Sequence, residues 1–118
     1  SRLEGVHPDL VRVVKKAAAM SSLDFTVLEG LRTMAKQVHY KEIGATKTLN
    51  SRHLTGHAVD LAPMVGGTVR WDWPLYHKLA ATMKKAAEEC NVPIEWGGDW
   101  TSFKDGPHFQ LPHKEYPA

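Results

Sequence analysis

The stretch from residue 51 to residue 62 reads SRHLTGHAVDLA and changes character at its middle. The polar residues that lead into it follow neither a helical nor a strand period, which predicts a loop over Ala45–Thr55. The second half, His57–Ala62, alternates and ends at a proline, which predicts a buried strand. In such a strand Asp60 lies on one face and His57 on the other. A polar loop therefore leads directly into a strand that carries a carboxylate.

Helices and short strands are predicted on both sides of this stretch. A Gly66-Gly67 pair predicts a hairpin turn within residues 64–71, and residues 97–107 are predicted to form a loop. The mixture predicts an α+β fold within one domain over residues 1–118. Apolar periodicity, β-branched runs and cap residues give the remaining elements: a helix from Pro8 to about Ser21, a strand Asp24–Glu29, a helix capped by Thr33 and ending near Ile43, a helix capped by Asp72 and running through Cys90, and strands Val92–Trp96 and His108–Leu111.

Composition narrows the class of protein. The chain has 118 residues, of which 42% are hydrophobic, enough for one core without disulfides. The chain contains 15 Lys and Arg and 13 Asp and Glu, which gives a net charge of +2. This small excess, without a basic run, gives no support for nucleic-acid binding. Cys90 is the only cysteine, which excludes an internal disulfide. No apolar run approaches the roughly 18 residues of a membrane span.

Two histidines and one aspartate have the chemistry of a zinc site. A catalytic zinc takes three nitrogen or oxygen ligands from the protein and leaves a fourth position for water, whose pKa it lowers to about 7. His53, Asp60 and His108 would supply such a set. The bend permitted by Gly56 brings His53 back over the Asp60 face, whereas His57 points away, so His53 is the better candidate.

Two further residues have the chemistry of peptide hydrolysis. Asp105 precedes His108 by three residues across a Gly-Pro turn, a position that suits a general base and later a proton donor. Asp99 is an acidic competitor nearby. Arg32 follows the predicted strand Asp24–Glu29 and would stabilise charge on a scissile carbonyl oxygen. The alternative interpretations are an ordinary Asp-Gly turn and a surface arginine.

The motif SRHLTGHAVD resembles the Ser-x-His-x-x-Gly-x-x-x-Asp signature of the M15 zinc peptidases. The segments EGLRT at residues 29–33, WGGDW at 96–100 and DGPHFQ at 105–110 resemble the phage endolysin branch of that family. The resemblance spans nearly the whole chain. It implies zinc as the cofactor, a small antiparallel sheet with packed helices as in Hedgehog and D,D-peptidase proteins, and these roles: His53, Asp60 and His108 as zinc ligands, Asp105 as base, Arg32 on the substrate carbonyl, and Ser51 holding substrate.

The resemblance implies hydrolysis of the L-alanyl-D-glutamate bond of the peptidoglycan stem peptide by a phage-type endolysin. Dipeptidase members usually carry Glu next to aromatic residues where this chain has Asp105-Gly-Pro, which favours this bond over D-Ala-D-Ala. Two alternatives stay open. One is a D-Ala-D-Ala carboxypeptidase of the same family, and the other is a non-catalytic zinc-binding or wall-binding module. A glycosidase needs two carboxylates and no metal.

Three more residues are candidates for contact with substrate. His57 lies next to the predicted site, and Trp96 and Trp100 have side chains that can line a groove for a glycopeptide, although buried aromatic residues are commoner than ligand platforms. We expect a monomer that acts on the cell wall. No signal peptide or separate wall-binding domain is seen, so we expect accumulation in the host cytoplasm before lysis.

Overall fold

Helices are mixed with several short strands along the chain, as predicted. The structure is a computed structural model that describes residues 2–45, 51–102 and 104–117. None of the helices in these ranges is long and apolar enough to cross a membrane. The elements are α1 (Pro8–Met20), β1 (Asp24–Glu29), α2 (Met34–Glu42), β2 (Ala58–Val65), β3 (Thr68–Val69), α3 (Trp73–Cys90), β4 (Glu95–Trp96) and β5 (His108–Gln110), with 3-10 turns at Arg52–Thr55 and Gly97–Asp99.

The strands form one antiparallel sheet in the order β1-β2-β5-β4, and β3 pairs with the far end of β2. One face of this sheet is buried by α1 and α3, because Val59 and Leu61 of β2 and Phe109 of β5 belong to the same core cluster as the apolar stripes of those helices. Alternation along the strands places Asp60 and His108 on the other face. The helices thus stabilise one side of the sheet and leave the opposite side for polar groups.

A bulge at the end of β1 changes the direction of one acidic side chain. Val27 pairs with Leu61 and Glu29 pairs with Asp60, so the register skips Leu28. If the strand continued through Leu28 without a bulge, Glu29 would share the face of Val27, which packs against the core. Because a bulge re-aims the residues that follow it, Glu29 lies on the same face as Asp60.

Several predicted boundaries need correction. β2 does not stop at Pro63 but continues to Val65. The carbonyl oxygen of Pro63 accepts a hydrogen bond from Arg70 N, so the backbone nitrogen of Pro63 lies on the same edge of β2. Pairing with β5 along that edge ends at Asp60 and His108, before Pro63. A proline, which has no N–H to donate, is therefore tolerated at this position. The predicted strand Val92–Trp96 shortens to its last two residues. The predicted loop Ala45–Thr55 contains a 3-10 turn over its last four residues, and residues 46–50 lie outside the described part of the chain.

The turn before β2 is fixed at both ends. Ser51 is its N-cap, and its Oγ accepts a hydrogen bond from His53 N at 3.2 Å. The buried Arg52 donates from Nη2 to the carbonyl oxygens of Leu111 (2.7 Å) and Tyr116 (2.8 Å), which ties the turn to the segment after β5. Gly56 ends the turn in the left-handed region, at φ 76°. These contacts hold the backbone of His53 in place.

Gly56→Ala should destabilise the protein by more than its backbone conformation alone predicts. A β-carbon at Gly56 would lie 2.3 Å from the carbonyl oxygen of Gly5, a backbone atom that cannot rotate away. The left-handed conformation itself costs a non-glycine residue about 1–2 kcal/mol. Gly66→Ala is the matched control, because Gly66 also has a positive φ, 59°, but open space around it. In urea unfolding we expect the larger loss for Gly56→Ala; equal losses would contradict a steric role.

Candidate active site

Three potential metal-binding side chains converge on the open face of the sheet. Asp60 of β2 and His108 of β5 are directly opposite each other, so their side chains lie side by side. His53 approaches from the 3-10 turn. Asp60 Oδ1 lies 3.2 Å from His53 Nε2 and 3.3 Å from His108 Nδ1, and one ligand atom from each residue falls within 4.8 Å of the others. The structure therefore brings together the three residues that the sequence predicts as ligands.

The backbone at the end of β1 orients His53. His53 Nδ1 lies 2.8 Å from the carbonyl oxygen of Gly30, and Arg32 N donates to the carbonyl oxygen of His53 at 2.9 Å. Because a carbonyl oxygen only accepts, Nδ1 carries the hydrogen, and in the neutral ring Nε2 has the lone pair. That lone pair is directed towards a carboxylate oxygen, an arrangement that requires a positive charge between them.

The donor set and its spacing fit a zinc ion. Two imidazole nitrogens and one carboxylate oxygen form a ligand set used by catalytic zinc sites. Ligands about 2.0–2.1 Å from a tetrahedral zinc are separated by about 3.3 Å. The distances of 3.2 and 3.3 Å from Asp60 Oδ1 to the two histidine nitrogens agree with that value, and the ligand atoms of all three residues lie within 4.8 Å of one another. His53, Asp60 and His108 are thus arranged to hold a metal.

Charges at this site favour an ionised Asp60. Burial alone would raise its pKa, but the hydrogen bonds and charges of His108 and His53 hold the pKa of this carboxyl well below its usual range. Burial also acts against a charged His108, yet Asp60 raises the pKa of that imidazole. A strongly ionised carboxylate between two histidines is suited to binding a cation.

Asp105 lies beside this group in the turn that leads into β5. Asp105 N donates to the carbonyl oxygen of Gly97 at 3.1 Å, and His108 N donates to that of Asp105 at 3.2 Å. Burial and the negative charge of Asp60 raise the pKa of the Asp105 carboxyl. A carboxyl group with a raised pKa is better suited to taking up and releasing a proton than an ordinary aspartate.

Arg32 is held at the site from several directions. Glu29 Oε1 accepts from both Nε, at 2.9 Å, and Nη2, and Gln37 Oε1 accepts from Nη1 at 2.7 Å. The guanidinium carbon lies 4.8 Å from the centre of the Tyr40 ring. Nη2 is 3.8 Å from Asp60 Oδ2, so the guanidinium group faces His53, Asp60 and His108, here called the three-ligand cluster. Those hydrogen bonds involve three of its five N–H groups.

Glu29→Gln should lower stability, because it keeps the shape of the side chain but removes the charge that neutralises Arg32. The Arg32 side chain is only 9% exposed, so water replaces the lost partner poorly. Hydrogen bonds to charged groups contribute about 1.5–3 kcal/mol, and we expect a loss in that range in urea unfolding. Glu42→Gln, at an exposed position of α2, is the control. Equal stability of the two variants would contradict a stabilising role for the pairing of Glu29 with Arg32.

The three-ligand cluster opens into a cavity of about 740 Å³. Of the four predicted substrate contacts, Ser51 and Trp100 line it, and the Trp100 ring centre lies 5.1 Å from that of His108. Other residues on its wall are Glu29, Arg32, Lys36, Tyr40, Asp105 and Gln110.

Two predicted substrate contacts lie elsewhere. His57 precedes β2 on the face opposite Asp60, where Nδ1 lies 2.6 Å from Thr55 Oγ1. Trp96 is 3% exposed, stacks on Phe109 in the core and donates from Nε1 to the Gly106 carbonyl oxygen at 2.7 Å. Its buried position argues against contact with substrate. Its hydrogen bond to Gly106 instead supports the turn that carries Asp105.

Sequence reasoning also missed some residues and left one competitor open. Asp99 pairs with Lys84 at 2.7 Å on the surface, which separates it from the site. Glu29, Gln37 and Tyr40 surround Arg32 but were not singled out. Position in the chain could have identified Glu29 as a partner of Arg32, because it is the last residue of β1 and precedes Arg32 by three residues.

Comparison with known proteins gives the family. The family model described as phage L-alanyl-D-glutamate peptidase matches residues 1–111. The chain belongs to this family. A relative named L-alanyl-D-glutamate peptidase, from Escherichia phage T5, is 30% identical over 108 residues, which cover 88% of this chain and 79% of the relative.

Solved structures agree with membership of the phage L-alanyl-D-glutamate peptidase family. The crystal structure of the Serratia marcescens L-Ala D-Glu endopeptidase ChiX matches with a TM-score of 0.95 and 52% identity, over 99% of this chain and 88% of that chain. The D,D-dipeptidase VanXYg shares the fold, with a TM-score of 0.57 and 14% identity over 93% of this chain and 53% of that one. The predicted fold and family resemblance are confirmed.

Proposed function

We propose that this chain is a zinc-dependent peptidase that hydrolyses the L-alanyl-D-glutamate bond of peptidoglycan stem peptides, in phage-type lysis of the cell wall. The observation that carries the proposal is the convergence of His53, Asp60 and His108 in one cavity with Asp105 and Arg32, in a chain of this family. The names of the relatives, including the 52% identical ChiX, support the choice of bond.

We assign His53 Nε2, His108 Nδ1 and a carboxylate oxygen of Asp60 to the metal. Zinc bound there would polarise the scissile carbonyl and lower the pKa of water to about 7. The protein fixes its own donors beforehand: the Gly30 carbonyl sets the orientation of the His53 ring, and strand pairing sets Asp60 against His108. Binding would then only draw together ligand atoms that already lie within 4.8 Å of one another.

Asp105 is assigned the proton transfers. Its carboxylate accepts a proton from the attacking water and later gives it to the nitrogen of the departing D-glutamate residue. The raised pKa, caused by burial and by Asp60, favours both uptake and return. The main-chain bonds around Gly97 hold the carboxyl group at the wall of the cavity.

Arg32 is assigned to the carbonyl oxygen of the scissile bond. Negative charge develops on that oxygen as water attacks, and the guanidinium group can donate N–H groups to it without moving, because Glu29 and Gln37 already fix its plane. Ser51 and Trp100, on the cavity wall, are assigned to contacts with the stem peptide. Ser51 Oγ accepts from His53 N, and its hydroxyl hydrogen can still be donated.

Metal analysis combined with mass spectrometry of digested peptidoglycan tests this function. We expect about one zinc per chain and release of fragments that begin with D-glutamate, and we expect a chelator to stop the release. Stem peptides that retain a free pentapeptide end should be included, so that cleavage at both candidate bonds is visible in one digest.

The other outcomes distinguish the alternatives. Loss of only the terminal D-alanine would assign the site to a carboxypeptidase. Bound zinc with no cleavage would assign the chain to a non-catalytic wall-binding module, and chelator-insensitive release of sugar fragments would indicate a glycosidase.

A further inference from the structure

A chain of two hydrogen bonds leads from His108 to the edge of the sheet. Gln110 stands two residues after His108 in β5, on the same face, and is paired directly with Glu95 of β4. Gln110 Oε1 lies 2.8 Å from His108 Nε2, and Gln110 Nε2 donates to Glu95 Oε1 at 2.9 Å. His108 and Gln110 are buried, whereas Glu95 is exposed. None of the assigned catalytic steps uses Gln110 or Glu95.

The chemistry of each group decides where the hydrogens lie. An ionised carboxylate only accepts, so the amide NH₂ of Gln110 must face Glu95. The amide oxygen of Gln110 then faces His108 and requires an N–H from it. With that hydrogen on Nε2, Nδ1 can offer its lone pair to a cation held against Asp60, whereas in the metal-free protein the Asp60 carboxylate competes for a hydrogen on Nδ1. Nδ1 is the atom that lies 3.3 Å from Asp60 Oδ1.

Without Glu95 the orientation of the Gln110 amide is no longer determined. The Gln110 amide can turn over and present its NH₂ group to His108 Nε2, which selects the opposite tautomer, with hydrogen on Nδ1. That nitrogen would then donate to Asp60 and could not bind a metal. The exposed carboxylate of Glu95 therefore acts on the site through two side chains.

We propose that Gln110 and Glu95 are positioning residues that fix His108 in the tautomer with hydrogen on Nε2, so that Nδ1 is the metal-binding nitrogen. The consequence for metal binding rests on the proposed function, whereas the tautomer does not. Partners that orient a ligating histidine commonly contribute 10- to 100-fold to metal affinity.

Nitrogen NMR of the metal-free full chain carrying Asp60→Ala tests the tautomer directly, because that substitution removes the carboxylate that competes for the hydrogen on Nδ1. Long-range proton–nitrogen correlation, at a pH where the imidazole is neutral, separates the two ring nitrogens. In this Asp60→Ala chain we expect hydrogen on Nε2 of His108. Adding Glu95→Gln or Gln110→Leu should give a mixture of tautomers. Glu88→Gln, at an exposed position of α3, is the control and should leave the nitrogen shifts of the Asp60→Ala chain unchanged.

Zinc affinity, measured by competition with a chromophoric chelator, gives the second readout. We expect Gln110→Leu to bind zinc about 10- to 100-fold more weakly and Glu95→Gln to fall between it and the parent. The double variant Glu95→Gln with Gln110→Glu restores an acceptor opposite Nε2 and an NH₂ group beside it. It should recover both the tautomer and most of the affinity.

Unchanged nitrogen shifts and unchanged zinc affinity in both single variants would overturn the inference, as would failure of the double variant to recover either property. Because Glu95 is exposed, Glu95→Gln should fold, and it alone can decide the test if Gln110→Leu does not fold. If the parent neither binds zinc nor cleaves peptidoglycan, the proposed function fails, and the tautomer measurement still decides this inference.

Discussion

Asp105→Asn should reduce peptidoglycan hydrolysis by about 10²- to 10⁴-fold, the range contributed by a positioned general acid or base. The amide keeps the size of the carboxyl group but cannot accept the proton of the attacking water. Zinc content and the unfolding midpoint should stay close to those of the parent. Asp105 is outside the three-ligand cluster, and its hydrogen bonds to Gly97 and His108 involve main-chain atoms. The measurement is the rate of release of fragments that begin with D-glutamate.

Asp99→Asn is the matched control for this variant. Asp99 lies in the same stretch of chain, but its carboxylate pairs with Lys84 on the surface, so we expect hydrolysis within about twofold of the parent. If Asp105→Asn also retained parental activity while zinc binding was intact, Asp105 would lose its catalytic assignment, and the non-catalytic alternative would gain support.

Asp60→Asn should abolish tight zinc binding and, with it, hydrolysis. The substitution removes the one negative charge among the three ligands and leaves two neutral imidazoles. We expect a loss of affinity greater than the 10- to 100-fold that follows removal of a residue behind a ligand. Competition with a chelator measures the affinity, and hydrolysis at saturating zinc shows whether added metal restores activity.

Asp72→Asn controls for a general effect of lost charge, because Asp72 pairs with Arg70 at an exposed position before α3. We expect it to bind zinc like the parent. A parental zinc affinity in Asp60→Asn would mean that the metal is held by other residues, and the assignment of His53 and His108 would have to be reconsidered with it.

Elements with a clear period were predictable from sequence. β1 was predicted over Asp24–Glu29 and lies there, and α2 begins after Thr33, whose side chain caps the helix as expected. The Gly66-Gly67 turn was recognised because only glycine readily adopts positive φ at both positions of a tight hairpin. Among the candidate ligands, alternation within one strand separated Asp60 from His57, whereas His53 and His108 were found from the ligand chemistry of zinc and from the family motifs around them.

Features that depend on the pairing of distant strands were not predictable in this way. The link between Glu95 and Gln110 exists because β4 and β5 pair in one register, which no local pattern specifies. Trp96 and Trp100 were treated alike from sequence. They differ because Trp96 lies opposite Phe109 on the core face, whereas Trp100 follows the 3-10 turn and reaches the cavity.

The bulge at Leu28 makes the length of β1 as informative as its composition. Substitutions in this strand change single contacts, whereas a deletion of Leu28 would remove the bulge and make Glu29 the neighbour of Val27. Simple alternation would then place the Glu29 carboxylate opposite Asp60, where it still meets the Arg32 guanidinium group. When relatives of this chain are aligned, a single-residue gap at Leu28 would therefore mark a protein that keeps the same partner for this arginine on a regular strand.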